Sequence, residues 1–252
     1  MSEFWRTAIS EVRPNRILIR GYDVQELARA RTFGDTVFLL LTGELPRRRE
    51  GELMDAILVC CCDHSLLGPS TDAVRFVASC GVPLQTAVAA GVCAIGDHHG
   101  GAIEPLARLF AEAAAGKLDL RSHMAELRRE GRRMPGFGHP IHNPDPRTVV
   151  LFELADRKGL SGRHVRLALE LEAATEAVLG RHLPLNVDGA IAALMGDLGI
   201  APAYGKAFFI ISRVAGFIAH AVEQQTNERP FKEVPLREIS YTGPAERPVP
   251  QR

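Results

Sequence analysis

Between residues 136 and 147 the chain reads GFGHPIHNPDPR. Glycines at 136 and 138 free the backbone, while prolines at 140, 144 and 146 each remove an amide donor and fix φ. No regular helix or strand survives that spacing. Nearly every other stretch carries the period of an amphipathic or buried helix. The chain must therefore fold as helices arranged about one stiff, irregular loop that presents His139 and Arg147. Taken alone, the loop reads equally well as a plain interhelical connection. Two more polar interruptions, IGDHHGGAIE (95–104) and PLNVDGAIA (184–192), favour the presenting role.

The helical reading holds along the chain. A segment stopping at Gly43, with Pro46 beyond it, has a conventional helix end. Apolar residues at 53, 57, 58 and 61 recur at helical spacing, and residues 203–225 form the longest apolar helix. Ile17, Leu18 and Ile19 suit one short strand, too little for a sheet. Residues 228–252, with prolines at 230, 235, 244, 248 and 250, read as an extended arm that lies on another surface. No Gly-rich loop follows a strand, which excludes a dinucleotide or P-loop site. The expected fold class is all-α.

Composition narrows the partners. Hydrophobic residues make up 46% of the 252, enough for a sizeable core. The 30 basic and 30 acidic residues balance, so no global field draws nucleic acid or anionic membrane. No apolar run approaches the roughly 20 residues a bilayer crossing needs. The five cysteines are odd in number, with three consecutive at 60–62, and no secretory signal is read before them. They suit small apolar positions in a reduced, cytoplasmic protein.

Several polar groups sit where helices end: His64, His98, His99, His139, and Asn186 with Asp188. Each has a plain alternative. Asn186 or Asp188 can serve only as a helix cap, and a lone histidine as a hydrogen-bonded structural residue. His123, His164 and His182 read as surface histidines. Two adjacent histidines with a third are a conceivable metal set, yet no HxxxH or CxxC spacing supports one, and no metal is expected. No GxSxG elbow supports a serine nucleophile. A carboxylate with neutral imidazoles fits proton abstraction beside a carbonyl better, with an imidazole donating to the enolate oxygen. Arg147, Arg213 and Arg229 can then hold substrate carboxylates in forked pairs.

At these residues the chain resembles the citrate synthase superfamily. RGYDVQELARARTFGDTVFLLLTGELP (20–46), DHSLLGPS, GDHHGGAIE, GFGH with DPR, NVDG and SRVAGFIAH follow that family's signatures in order over nearly the whole chain. The resemblance implies a two-lobed helical fold that pairs as a homodimer, with lobes at 1–101, 102–189 and 190–252. The last of these rejoins the first lobe and carries the arm. It implies His99 as hydrogen-bond donor to a thioester enolate and His139 as the group exchanging a proton with the carbinol or carbonyl oxygen. Asp188 is the carboxylate handling the acetyl carbon proton. It makes His64, Arg147 and Arg213 binders of oxaloacetate or citrate, and matches Arg229 to an arginine donated by the neighbouring subunit.

Two departures select within the family. Pro46 reaches His64 through a single helix, so the large lobe is shortened. The IGD before HHGGA and the tail RPFKEVPLREISYTGP resemble stand-alone citryl-CoA lyases and the C-terminal module of ATP-citrate lyase. The activity this implies is retro-Claisen cleavage of citryl-CoA to acetyl-CoA and oxaloacetate. Coenzyme A enters as thioester substrate, with no tightly bound cofactor, and a separate synthetase supplies the citryl-CoA. The alternatives are a compact citrate or 2-methylcitrate synthase and a non-catalytic subunit that binds CoA thioesters. Pro140 stands where many relatives carry arginine.

Overall fold

The computed structural model describes residues 4–251, and the helical expectation holds: eleven α-helices lie among them. They are α1 (Val24–Ala30), α2 (Phe33–Thr42), α3 (Arg48–Cys61), α4 (Pro69–Ser79), α5 (Leu84–Cys93) and α6 (Ile103–Ala114). After them come α7 (Leu120–Arg129), α8 (Pro146–Arg157), α9 (Arg163–Leu179), α10 (Val187–Asp197) and α11 (Gly205–Asn227). Short 3-10 turns precede α4 and α11.

The N-terminal segment departs from expectation. In place of one strand there is an antiparallel meander: β1 (Ser10–Arg13), β2 (Arg16–Ile19) and β3 (Tyr22–Asp23). Ser10 pairs with Ile19 and Leu18 with Asp23. Turn chemistry makes this possible, because Asn15 and Arg20 take left-handed conformations that close each hairpin. The helix α2 also starts earlier than its apolar run. Thr32 Oγ1 accepts from the Asp35 amide at 3.1 Å and the Asp35 carboxylate accepts from the Thr32 amide at 3.2 Å, a reciprocal cap.

Two apolar cores organise the helices. The larger joins residues of α2, α3, α6, α7, α8, α9 and α10, with Leu53, Ile57, Phe110, Leu151 and Ile191 fully buried. The smaller joins α4, α5 and α11 through Val74, Ala78, Ala87, Phe217 and Ala221. The lobe boundary expected between residues 189 and 190 falls inside α10, which packs on α6, α8 and α9.

Two sequence readings need correction. His164 is no surface histidine: its Nδ1 lies 2.8 Å from Asp197, whose carboxylate also accepts the amides of Gly162, His164 and Val165. Gly162, at the N-cap of α9, has no side chain to cap with, so the end of α10 supplies one. The chain does contain a segment (Pro202–Asn227) long and apolar enough to cross a bilayer by length and composition. That segment packs on α3, α4 and α5, with Phe208 and Phe217 fully buried, and reads as a core helix.

The C-terminal arm is exposed but anchored at its root, where the amides of Phe231 and Lys232 donate to the carbonyl and Oγ of Ser79. The helix α11 meets the end of α3 at Gly216, where a β-carbon would lie 2.4 Å from the Cys62 carbonyl oxygen. That approach sets the Cys62–Asp63 backbone just before His64. Gly216→Ala should therefore lower stability by about 1–3 kcal/mol in urea unfolding. An unfolding midpoint equal to wild type would contradict this packing.

Candidate active site

The loop 136–138 and the segment 184–186 lie side by side. Gly138 donates its amide to the Pro184 carbonyl at 2.7 Å, and Asn186 donates its amide to the Gly136 carbonyl at 3.0 Å. Asn186 Nδ2 adds a bond to the Gly138 carbonyl at 2.9 Å. Gly136 and Gly138 have φ of 77°, in the left-handed region, and a β-carbon on Gly136 would sit 2.9 Å from Gly189 Cα. Glycine is required there for the loop to reach the first turn of α10. The pairing puts His139 at one end of the loop and Asp188 in that first turn. Capping falls to Asn186, whose Oδ1 accepts the amides of Asp188 at 3.0 Å and Gly189 at 3.2 Å. The Asp188 side chain is thereby left free for other work.

Below them runs a line of charge. Asp145, fully buried, grips Arg147 in a forked pair: Nε to Oδ1 at 3.0 Å and Nη2 to Oδ2 at 2.8 Å. The same carboxylate accepts the amides of Arg147 and Val187, tying the start of α8 to the start of α10. Burial pushes Asp145 up, but the hydrogen bonds and charge of Arg147 outweigh it and hold the carboxyl below its usual range. Asp188 goes the other way. Burial pushes it up to about 6, and the negative charge of Asp145 adds to this against Arg147 and Arg213.

Arg213, 1% exposed, donates Nε to the Cys61 carbonyl at 2.8 Å and stacks over the Phe209 ring at 4.4 Å. His99 meets the same ring edge-on at 5.3 Å. Its Nε2 lies 2.7 Å from Ser70 Oγ, at the start of α4. A tight turn closed by Gly96 and His99 backbone hydrogen bonds presents the imidazole. Burial and the Arg213 charge lower its pKa, so the ring is neutral near pH 7. Gly68 leaves room for both groups, since a β-carbon there would lie 3.1 Å from His99 Cε1 and 3.8 Å from Arg213 Nη1.

The third side is a cluster of imidazoles. His64 packs edge-on against His139 at 5.3 Å, and His142 stacks on His139 at 4.4 Å. His64 Nε2 and His142 Nε2 are 3.2 Å apart, a hydrogen bond in which one ring donates and the other accepts. Burial, then Arg147, His139 and Arg213, push His64 down to about 4. His139 is likewise lowered, by burial and then by His142. Its Nδ1 accepts the amides of Ile141 at 3.3 Å and His142 at 3.2 Å. An acceptor Nδ1 places the proton of the neutral ring on Nε2, which makes His139 a donor.

Sequence spacing gave no metal set, yet the fold brings ligand atoms of His64, His139 and His142 within 4.8 Å of one another. A metal on His139 Nε2 would need the ring proton on Nδ1, facing two amide N–H groups. The donor set fits a cation poorly for that reason, and for the nearby Arg147 charge.

His64, His99, His139, Arg147, Asp188 and Arg213 thus share one site. Arg229 does not join it: its side chain is exposed at the root of the arm and bonds to none of these groups among the described residues. Three contributors were not singled out from sequence. Ser70 sits within DHSLLGPS, Asp145 in the DPR turn, and His142 three residues after His139. The repeated histidine was visible, but spacing on a non-helical loop says nothing about direction. Alongside His139 a cavity of about 610 Å³ opens, lined by Arg128, Arg132, Arg133 and Arg181 together with Phe137 and Leu183.

Comparison with known proteins identifies the family and the fold. The family model described as citrate synthase, C-terminal domain, matches residues 3–52 and 46–233. The solved structure of citryl-CoA lyase from Hydrogenobacter thermophilus superposes with a TM-score of 0.91 at 38% identity, covering 98% of each chain. ATP citrate lyase from Methanothrix soehngenii, solved with citrate and coenzyme A, gives 0.87 at 25% identity over 98% of this chain and 43% of its own. A probable ATP-citrate synthase of Dictyostelium discoideum is 27% identical over 241 residues, 88% of this chain and 39% of that protein. The chain therefore spans about two-fifths of the length of the curated relatives it matches first.

A raised carboxyl pKa means the folded state holds the Asp188 proton more tightly than the unfolded chain. Its contribution to stability is complete below the unfolded value of about 4 and is lost as pH rises through about 6. Asp188→Asn should therefore be more stable than wild type at pH 8, by on the order of 1–3 kcal/mol. The gain should vanish near pH 4. Urea melts at the two pH values check this, and a variant no more stable at pH 8 would refute the raised pKa.

Proposed function

Because the chain belongs to the citrate synthase family, we propose that it is a citryl-CoA lyase, cleaving citryl-CoA to acetyl-CoA and oxaloacetate. The observation that carries this reading over a condensing synthase is the match to the Hydrogenobacter lyase at a TM-score of 0.91 and 38% identity over 98% of each chain. The compact α3 link between Pro46 and His64 agrees with it.

The site supplies what the cleavage requires. Arg147 and Arg213 hold the carboxylates of the oxaloacetate half, and His139 donates Nε2–H to its hydroxyl oxygen. As the carbon–carbon bond breaks, His99 donates to the thioester oxygen of the departing enolate, its ring aligned by Ser70. Asp188, whose carboxyl burial pushes up to about 6, acts in its protonated form and delivers that proton to the enolate carbon. One of the clustered imidazoles accepts the hydroxyl proton. The arginine-lined cavity beside His139 suits the phosphates of coenzyme A, and its apolar walls suit the adenine.

The chain is read as a homodimer. Phe76, Leu84, Ile218 and Val222 leave an apolar face on α4, α5 and α11 exposed, and the arm exposes Val234, Leu236, Ile239 and Tyr241. Pairing through that face would bring Arg229 to the neighbouring copy. A separate synthetase is the proposed source of citryl-CoA. The free cysteines agree with a cytoplasmic setting.

Purified protein given citryl-CoA should release oxaloacetate, read with coupled malate dehydrogenase, without freeing thiol. Free coenzyme A and citrate with no oxaloacetate would mean a synthase instead. Asp188→Asn should lower kcat by orders of magnitude, and near-normal turnover would remove Asp188 from the mechanism. Arg133→Ala and Arg181→Ala should raise KM for citryl-CoA at little change in kcat, since they contact only the non-reacting end.

A further inference from the structure

The motif SRVAGFIAH supplies Arg213 to the site, yet it ends in His220, which no step of the cleavage uses. Arg213, Gly216 and His220 follow one another at spacings of three and four, so they share one face of α11. Each meets a successive residue at the end of α3. Arg213 Nε donates to the Cys61 carbonyl at 2.8 Å. Gly216 leaves room for the Cys62 carbonyl oxygen, which a β-carbon would meet at 2.4 Å. His220 Nε2 lies 3.0 Å from Asp63 Oδ1. His64 is the next residue in the chain.

The bond between His220 and Asp63 runs in one direction. Burial pushes the Asp63 carboxyl up, but the Ser65 amide and His220 outweigh it and hold the group below its usual range. An ionised carboxylate only accepts, so His220 Nε2 carries the ring proton and donates it. The other ring nitrogen does not orient the imidazole. Nδ1 is buried without a hydrogen bond among the described residues, and Glu223, 3.8 Å away, is bonded to Arg75. Among the described residues His220 is also the one side chain that bonds to Asp63.

Asp63 in turn controls the backbone after it. Its Oδ2 accepts the Ser65 amide at 2.9 Å while Oδ1 takes the His220 proton. Ser65 has φ of 56°, a left-handed conformation that costs a residue with a β-carbon free energy. A carboxylate pinned at both oxygens keeps that turn closed. The Asp63 side chain is 45% exposed, so water competes for its oxygens once the imidazole is removed. His64 stands between the two residues that close the turn, and its ring direction follows theirs. That direction brings His64 Nε2 to 3.2 Å from His142 Nε2 and sets its ring edge-on to His139.

We propose that His220 is a positioning residue: bonded to Asp63, it holds the Asp63–Ser65 turn and thereby aims His64 at the carboxylate end of the substrate. It touches no substrate itself. The inference rests on the citryl-CoA lyase reading and takes His64 as a binder of the oxaloacetate half.

The test uses the full chain, with oxaloacetate as the titrated ligand and citryl-CoA as substrate. Wild type must first release oxaloacetate from citryl-CoA; if it does not, the lyase reading fails and this inference falls with it. Given an active wild type, His220→Leu removes the donor. It should raise the oxaloacetate Kd and the citryl-CoA KM about tenfold, with kcat within about threefold of wild type. His220→Gln sets an amide N–H near the place of Nε2 and should return both constants to within about threefold. A second comparison adds His64→Ala. In that background His220→Leu should change the oxaloacetate Kd by less than about twofold, because its whole effect passes through His64. If His220→Leu does not fold, His220→Asn, whose amide stops short of Asp63, replaces it with the same expectations. A wild-type Kd in His220→Leu would overturn the assignment. So would a loss that persists undiminished beside His64→Ala, or one that His220→Gln does not recover.

Discussion

Three hydrogen bonds between the loop 136–138 and the segment 184–186 hold this site together. They join two stretches that are polar and helix-breaking in an otherwise helical chain. Without the glycines at 136 and 189 the backbones could not approach, and without the left-handed turn at Gly138 the loop could not carry His139 to the side of Asp188. The buried Asp145 extends the same device, binding the start of α8 and the start of α10 through one carboxylate. Regular helices supply the rigid walls, and the irregular loop supplies the placement.

The electrostatics follow from that placement. Two carboxylates near two arginines are driven in opposite directions. Asp145, forked onto Arg147 and bonded to amides, stays ionised as a structural anion. Asp188, half-buried and with no hydrogen-bond donor to its side chain among the described residues, rises to about 6, so a fraction of it carries a proton at neutral pH. Burial keeps His64 and His99 uncharged, helped by Arg147 and Arg213 at His64 and by Arg213 at His99, so both serve as hydrogen-bonding groups. A site built to bind a multiply charged anion with cations thus keeps these imidazoles neutral and lets Asp188 hold a proton at higher pH than a free carboxyl would.

Much of this was legible in the sequence, for definable reasons. Helix stops, apolar periods and the absence of strand alternation identified an all-α fold, and the ordered motifs identified the residues that share the site. Local chemistry that depends on direction was not legible. Asn186 and Asp188 are both competent caps, and only the backbone shows that Asn186 caps while Asp188 is spared. His142 follows His139 by three residues, but in a proline-rich loop that offset does not say whether rings meet. His164 looked like a surface residue because its partner Asp197 is distant in sequence. The meander at residues 10–23 was missed because two-residue turns, not alternation, pair its strands.

The central claim is that the acetyl carbon of citryl-CoA lies at Asp188 while the citryl end is gripped by Arg147 and Arg213. A crystal structure of Asp188→Asn, which cannot deliver the proton, with citryl-CoA bound tests it most directly. The expected result has the thioester oxygen at His99 and the hydroxyl within hydrogen-bond reach of His139. It also puts the methylene carbon next to the substituted side chain and the pantetheine leaving toward the arginine-lined cavity. Citryl-CoA seated elsewhere, or with its methylene carbon turned away from residue 188, would contradict it.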